Sequence, residues 1–410
     1  MTELSRRRLL TTAGAAGAGG LALGTTGGAL AHAATTRDRE PVLSTVGATS
    51  VPFHGTHQPG ITTPLQAHGH LVAFDLLPGA GRRQAAGLLR RWSTLAAELM
   101  AGGTPETDTG AARDAGPASL SVTFGFGHSF FDATGLTHVR PAALDPLPQF
   151  SNDHLDPEHS DGDLWVQIGA DDGLVAFQAL RVLQRAAAES EVARVRWQMS
   201  GFSRSPGATA RPMTTRNLMG QVDGTNNPKP SDPDFDRKIF VPADGEPAWM
   251  AHGSYAVVRR IRMLLDDWEA QSRDEQERVI GRRKSDGAPL TGDEETSPVD
   301  LDAVDEEGNP VIPANAHIRV TSPDTNGGAT MLRRSFSYHD GFRPDGAPDA
   351  GLLFVCWQAD PLNGFVPVQR KLDRGDALST YIRHEASALF AVPGGAAEGE
   401  YVGQALLEGA

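Results

Sequence analysis

The sequence predicts an α+β protein made of two halves of similar design, and three observations carry that prediction. Between residues 71 and 199, strand-like and helix-like segments follow the order strand, helix, strand, strand, helix, strand. That is the split β-α-β arrangement. A looser version of the same order returns after residue 253. No stretch of about 20 apolar residues lies beyond the first 33 residues, so a membrane-spanning architecture is not expected there.

Each element has its own signal. Leu71-Val72-Ala73-Phe74-Asp75-Leu76 reads as a strand, and Gly87 to Met100 carries apolar residues at helical spacing. Leu120 to Gly125 alternates as a strand, and Asp163 to Ile168 is another. Leu174 to Ser190 reads as a helix and Val195 to Met199 as a strand. In the second half Gly253 to Ile261 alternates, and a polar helix is expected around Asp266 to Ile280. Arg282 to Asn309 is rich in Gly, Pro, Asp and Glu and reads as a surface excursion. Strands are expected at Met331 to Tyr338 and Leu352 to Gln358, a mainly helical stretch at Val366 to Tyr381, and a last strand at Ala388 to Val392.

Composition narrows the chemistry. The 410 residues suffice for two domains with a substantial core. One cysteine, Cys356, excludes an intrachain disulfide framework, a Cys-rich zinc site and an all-Cys iron–sulfur cluster. With 37 basic and 51 acidic residues the net charge is −14, which argues against a nucleic-acid partner. The first residues have a different character. Arg6-Arg7 precedes a weakly apolar Ala/Gly/Leu stretch that ends at Ala31-His32-Ala33, an A-x-A cleavage pattern. This is the pattern of a twin-arginine (Tat) export signal. Residues 1–33 are therefore expected to be a removable signal read by the Tat translocase, with a periplasmic or extracellular destination. The two halves are expected at 34–215 and 216–410. Self-association is left open.

Four groups of residues could carry chemistry. Gly220-Gln221-Val222-Asp223-Gly224 sets an acid between glycines, which suits a carboxylate projecting into a cavity and also an ordinary Asp-Gly turn. His317 follows a Pro/Asn turn and suits either a ligand or a structural histidine. Arg333 and Arg334 are neighbours on an expected strand, so only one can face a given cavity. His54, His57, His68 and His70 could serve a bare metal ion, although no H-E-x-x-H helix accompanies them. Taken together, one acid, one histidine and one arginine suit peroxide activation at haem iron. An imidazole ligates the iron, a carboxylate shuttles a proton, and a guanidinium offsets developing negative charge.

The chain resembles the dye-decolourising peroxidases. Their hallmark G-x-x-D-G stands at Gly220–Gly224 and continues into Thr225-Asn226-Asn227-Pro228. Asn315-Ala316-His317-Ile318-Arg319, Met331-Leu332-Arg333-Arg334, Pro52 to Gln58, Ile280 to Lys284 and Gly351 to Cys356 match in the same order. The resemblance is to the Tat-dependent branch, which includes deferrochelatases. It implies two ferredoxin-like halves with antiparallel sheets, of the dimeric α+β barrel type, with one haem b per chain in the C-terminal half. It implies that His317 is the proximal iron ligand and that Asp223 is the distal acid/base. Arg333, which begins the family's R-x-G/S pattern, would be the distal arginine and contact a haem propionate. Gly224, Thr225 and Asn226 would run beside the haem, as would Ser322, Pro323 and Asp324. An acidic partner of His317 is implied, with Asp376 and Glu385 as candidates. Ser335 departs from the family's usual glycine.

The implied activity is reduction of hydrogen peroxide with oxidation of a phenolic, dye-like or metal-ion donor. Bulky donors would be oxidised at a surface aromatic. Trp165, Trp197, Trp249, Trp268, Trp357, Tyr338, Tyr381 and Tyr401 are the candidate relays, with Trp357 first because its strand matches the family. The alternative keeps the haem and makes the chain a deferrochelatase that releases its iron.

Overall fold

The two longest helices form where apolar residues recur on one face. A computed structural model describes residues 47–204 and 214–409, apart from 107 and 109. The expected export signal lies outside the described residues. Among those described, no helix is long and apolar enough to cross a membrane.

In chain order the strands are β1 (His68–Leu76), β2 (Ser121–Gly127), β3 (Leu164–Ala170), β4 (Ala193–Phe202), β5 (Ser254–Met263), β6 (Leu332–Arg333), β7 (Phe336–Phe342), β8 (Pro348–Gln358) and β9 (Ile382–Val392). The helices that matter most here are α1 (Arg82–Met100), α2 (Gly173–Ser190), α3 (Arg273–Ile280), α4 (His317–Val320) and α5 (Phe365–Gly375). All nine strands join one sheet in the order β5-β9-β2-β3-β1-β4-β7-β8-β6. Because β5 also pairs with β8, the sheet closes into a barrel, with β6 extending the line of β7 along the same edge of β8. Every strand pairing is antiparallel.

The closed sheet is two ferredoxin-like sheets joined edge to edge. The order β2-β3-β1-β4 forms the first and β9-β5-β8-β7 the second. The seams are short: Phe126 and Gly127 meet Ala391 and Phe390 at one, and Phe202 meets Ser337 at the other. Closure removes the exposed edges that an open sheet must otherwise protect.

β2 and β3 are buried along their whole length and so on both faces, whereas β4 is largely exposed on one face. Leu71, Ala73, Trp165, Leu353, Trp357 and Phe390 fill the barrel interior. The alternate residues Val72, Phe74, Val166, Ile168 and Leu389 join a second core beneath α1 and α2. Trp92 on α1 is fully buried and its Nε1 donates to Leu183 O on α2 at 2.9 Å, which ties the two helices together.

Strands β8 and β9 begin earlier than expected, at Pro348 and Ile382, and four further elements differ for a local reason. Helix α1 starts at Arg82 rather than Gly87, because its first turn is polar and shows no apolar period. The helix expected over 266–280 is two, Leu265–Glu269 and α3. Ser272 restarts it by accepting from Glu275 N at 3.2 Å. The stretch expected to be helical to Tyr381 is α5 followed by a 3-10 turn over Ala377–Tyr381, and Asp376 caps that turn. The strand expected over 331–338 is interrupted at Arg334–Ser335, where Val355 N donates to the Ser335 hydroxyl at 3.4 Å. Its register runs on unbroken, with Arg333 opposite Cys356 and Phe336 opposite Leu353.

Segment 282–309 has no helix or long strand, but it is firmly attached. Arg283 ties it internally by donating to Gly292 O and Asp293 O, and Arg319 attaches it by donating to Leu301 O at 2.6 Å. The excursion is thus strapped to the helix that carries His317.

Candidate active site

Three segments of the C-terminal half build the site. The first is the hairpin before and through Gly220–Gly224. Asp223 N donates to Thr215 O at 2.9 Å, and Asn217 Oδ1 accepts from Met219 N at 3.0 Å. Gly224 has φ +123, where a side chain would be strained, so the chain turns away directly after Asp223. The turn leaves the carboxylate facing a cavity of about 520 Å³.

The second segment is β6. Alternation along the strand sends its two arginines to opposite faces. Arg333 Nη1 donates to Asp223 Oδ1 at 2.9 Å. Arg334 instead is buried and donates to Gly60 O, to Pro64 O and to Gln66 Oε1. Burial pushes its pKa down to about 10. The structure therefore puts Arg333, not Arg334, on the acid of the glycine motif.

The third segment is α4, a single turn that begins at His317. The His317 main-chain carbonyl accepts from the Thr321 hydroxyl at 2.8 Å, and Asn315 O accepts from Ala377 N at 2.9 Å. Gly281, at the end of α3, lets this turn approach, since a Cβ there would lie 2.7 Å from Ile318 Cγ1. His317 Nδ1 stands 3.0 Å from Asp376 Oδ2. An ionised carboxylate only accepts, so Nδ1 carries the proton and Nε2 is left with its lone pair. Among the described residues Nε2 has no hydrogen-bond partner.

The electrostatics of His317 tie the three segments together. Burial lowers its proton affinity, but Asp376 outweighs that by charge and hydrogen bond, so the pKa lies above the usual histidine value. Arg333 also pushes it down and Asp223 pushes it up. Arg333 and Asp223 thus act on the imidazole in opposite senses.

Of the two acids considered as partners of His317, the structure selects Asp376. Its other oxygen accepts from Leu378 N at 3.2 Å, which locks the carboxylate. Glu385 instead accepts from Arg262 at 2.7 Å and Arg343 at 3.2 Å. We expect Asp376→Asn to weaken retention of the group bound at His317 by roughly 10–100-fold. A haem-transfer assay against a competing acceptor measures this; unchanged retention would contradict the role of Asp376.

The remaining sequence candidates are more dispersed. Gly224 lines the cavity with Asp223 and Arg333, whereas His317, Thr225, Asn226, Ser322, Pro323 and Asp324 lie outside that lining. Thr225 donates to Glu295 at 2.8 Å and thereby meets the strapped excursion. Asn226 and Asp324 are exposed. Ser322 caps the short turn over Pro323–Thr325. No three His, Cys, Asp or Glu side chains among the described residues could hold a bare metal ion. Within the histidine-rich segment, His57 bonds His252 O and His70 bonds Ser200. Among the eight aromatic relays only Tyr381 is not buried. Trp357 and Trp165 pack 5.9 Å apart between ring centroids inside the barrel.

Two functional neighbours were not singled out from the sequence. Asn217 Nδ2 donates to Asp223 Oδ2 at 3.3 Å, and Asn227 bonds the main chain of Arg333. Asn227 lay in the matched block Thr225–Pro228, so a signal for it existed. Asn217 carried none.

A guanidinium and a carboxylate held together, in the same half as a carboxylate-anchored imidazole, suit peroxide chemistry. Residues 58–203 match the family described as Dyp-type peroxidase, N-terminal, and residues 214–397 match Dyp-type peroxidase, C-terminal. The chain belongs to the Dyp-type peroxidase family, and it is an oxidoreductase of that class. It is 52% identical over 364 residues to a dye-decolorizing peroxidase of Thermobifida fusca, covering 86% of this chain and 84% of that protein. It is 37% identical over 425 residues to a deferrochelatase of Escherichia coli, covering 99% and 98%. Ferric DtpA from Streptomyces lividans is 70% identical, with a TM-score of 0.88 over 90% of this chain and all of that one.

Proposed function

We propose that this chain is an exported haem b peroxidase that reduces hydrogen peroxide and oxidises a phenolic, dye-like or metal-ion donor. The observation that carries the reading is the single imidazole of His317. It is anchored at Nδ1, has no partner at Nε2 among the described residues, and feels the charges of Asp223 and Arg333. One histidine is too few donors for a bare ion. It suits an iron whose other ligands come with a macrocycle. The donor set therefore fits haem, which His317 would hold through Nε2. DtpA, the Streptomyces lividans relative, has been solved in ferric and oxyferrous forms.

When bound, haem supplies the electrons that cleave the peroxide O–O bond. The protein supplies proton transfer and charge compensation. Asp223 accepts a proton from one peroxide oxygen and returns it to the departing oxygen, which leaves as water. Arg333 is cationic at every working pH and offsets the negative charge that develops on that oxygen. Asp376 holds the imidazole orientation and raises its basicity as a ligand. Gly224, Thr225, Asn226 and Ser322–Asp324 are assigned to the haem's surroundings on the family pattern. Export through the Tat translocase, to a periplasmic or extracellular location, rests on Arg6-Arg7 and Ala31-His32-Ala33.

The test is an absorption spectrum of the haem-loaded protein before and after one equivalent of peroxide, followed by product analysis. A shifted Soret band and an oxidised donor are expected. Metal-free protoporphyrin as the product, with no donor oxidised, would overturn this reading in favour of the deferrochelatase.

A further inference from the structure

One side of β6 pairs with β8, in line with β7, and among the described residues no strand pairs with its other side at Arg333. On the open side stands the Asn227 side chain. Its Nδ2 donates to Arg333 O at 2.8 Å, and its Oδ1 accepts from Arg333 N at 3.2 Å. Together these reproduce the double exchange of a hydrogen-bonded antiparallel pair, with an amide side chain in place of a strand. Asn227 N in turn donates to Gly224 O at 3.0 Å, next to the acid. The contacts close a circuit: Asp223 is bonded through the chain to Gly224, Gly224 holds Asn227, Asn227 holds the Arg333 main chain, and the Arg333 guanidinium returns to Asp223.

We infer that Asn227 is a positioning residue for peroxide reduction, acting as a one-residue strand that fixes Arg333 against Asp223. The inference rests on the functional reading above. The Arg333 N–H and C=O point away from β8, whose bond goes to Arg334 N at 2.8 Å, so Asn227 is what holds this stretch of backbone on its far side, and the guanidinium is only as well placed as the backbone beneath it. Asn217 supports the other side of the pair by donating to Asp223 Oδ2, so each partner is restrained by an amide as well as by the other. Both polar atoms of the Asn227 side chain are committed to that one residue.

The experiment is a double-mutant cycle on the haem-loaded protein, with Asn227→Ala, Arg333→Ala and the double variant. Stopped-flow measurements would follow the peroxide-consuming half-reaction and the donor half-reaction separately. Hydrogen exchange would follow the Arg333 amide. We expect Asn227→Ala to slow the peroxide half-reaction by about tenfold to a hundredfold, the usual cost of a misplaced reacting group. The donor half-reaction is expected to be unchanged and the Arg333 amide to exchange faster. In the Arg333→Ala background, adding Asn227→Ala is expected to change the peroxide step by less than about twofold, since the two act as one unit. Equal slowing of both half-reactions, or a full additional effect in that background, would overturn the inference. If Asn227→Ala does not hold haem, Asn227→Asp carries the same cycle, because it keeps the acceptor for Arg333 N and sets a carboxylate oxygen against Arg333 O in place of the donor. Failure of both to hold haem would also overturn it, by making Asn227 part of the fold. If Arg333→Ala alone leaves the peroxide step unchanged, the functional reading itself fails.

Discussion

His317→Ala is expected to yield a folded protein that purifies without haem and has essentially no peroxidase activity. The loss follows from the donor set. Among the described residues no cluster of ligating side chains exists to hold the metal in its place. The fold is expected to survive because α4 is one turn held by other bonds. Arg319 remains tied to Ile312 O, and Ala377 N remains tied to Asn315 O. Asp376 also keeps its bond from Leu378 N, so its carboxylate is not left without a donor. The space vacated by the side chain should admit free imidazole, which restores an axial nitrogen without a covalent tether. Titrating the variant with haem and then imidazole, while following the Soret band and circular dichroism, checks both parts. A stoichiometric, peroxide-reactive haem in the variant without added imidazole would remove His317 from the role of ligand.

Asp223→Asn should retain haem and lose most of its reactivity toward peroxide. Asparagine keeps the shape of the side chain and an oxygen for Arg333 to bond. It loses the ability to take up a proton, which is the function assigned to this group. General acid–base groups contribute roughly 10²–10⁴-fold, and kcat/KM for peroxide is expected to fall by that amount. The distinction from Arg333 is one of kind. Arginine offsets charge and accepts no proton, so it cannot replace the carboxylate. Stopped-flow measurement of the peroxide step at saturating haem would decide the matter. A rate within a few-fold of the parent protein would show that the proton moves by another route, such as solvent.

The strands were legible because each carries its own apolar run, and the ferredoxin-like halves followed from their order. Closure of the barrel was not legible from the residues themselves. Its seams involve only Phe126, Gly127 and Phe202 on one side and Ala391, Phe390 and Ser337 on the other, and pairing across such distances leaves no local mark. At the site, the residue types of Asp223, His317 and Arg333 suggested the chemistry, and the family pattern pointed to Arg333 over Arg334. The choice between Asp376 and Glu385 needed the fold, because both are acids on neighbouring segments. Only the burial of Asp376 beside α4 and the claim of three arginines on Glu385 separate them. Asn227 was hidden for a different reason. Its work is done by an amide imitating a backbone, and nothing in the residue type announces that.

The closed sheet also governs how the protein is made. Strand β9 closes the ring on two sides at once, against β2 from the first half and β5 from the second. On a ribosome, most of the chain must emerge before either contact is available. Until then β2 and β5 each present a bare edge, and the loop that must be ordered to cover β2 spans most of the protein. Pairing of this kind is slow, because the entropy of closing the loop is lost before the contacts form. The vulnerable interval is therefore the time between synthesis of β2 and arrival of β9, and a chaperone that shields strand edges would act in that interval.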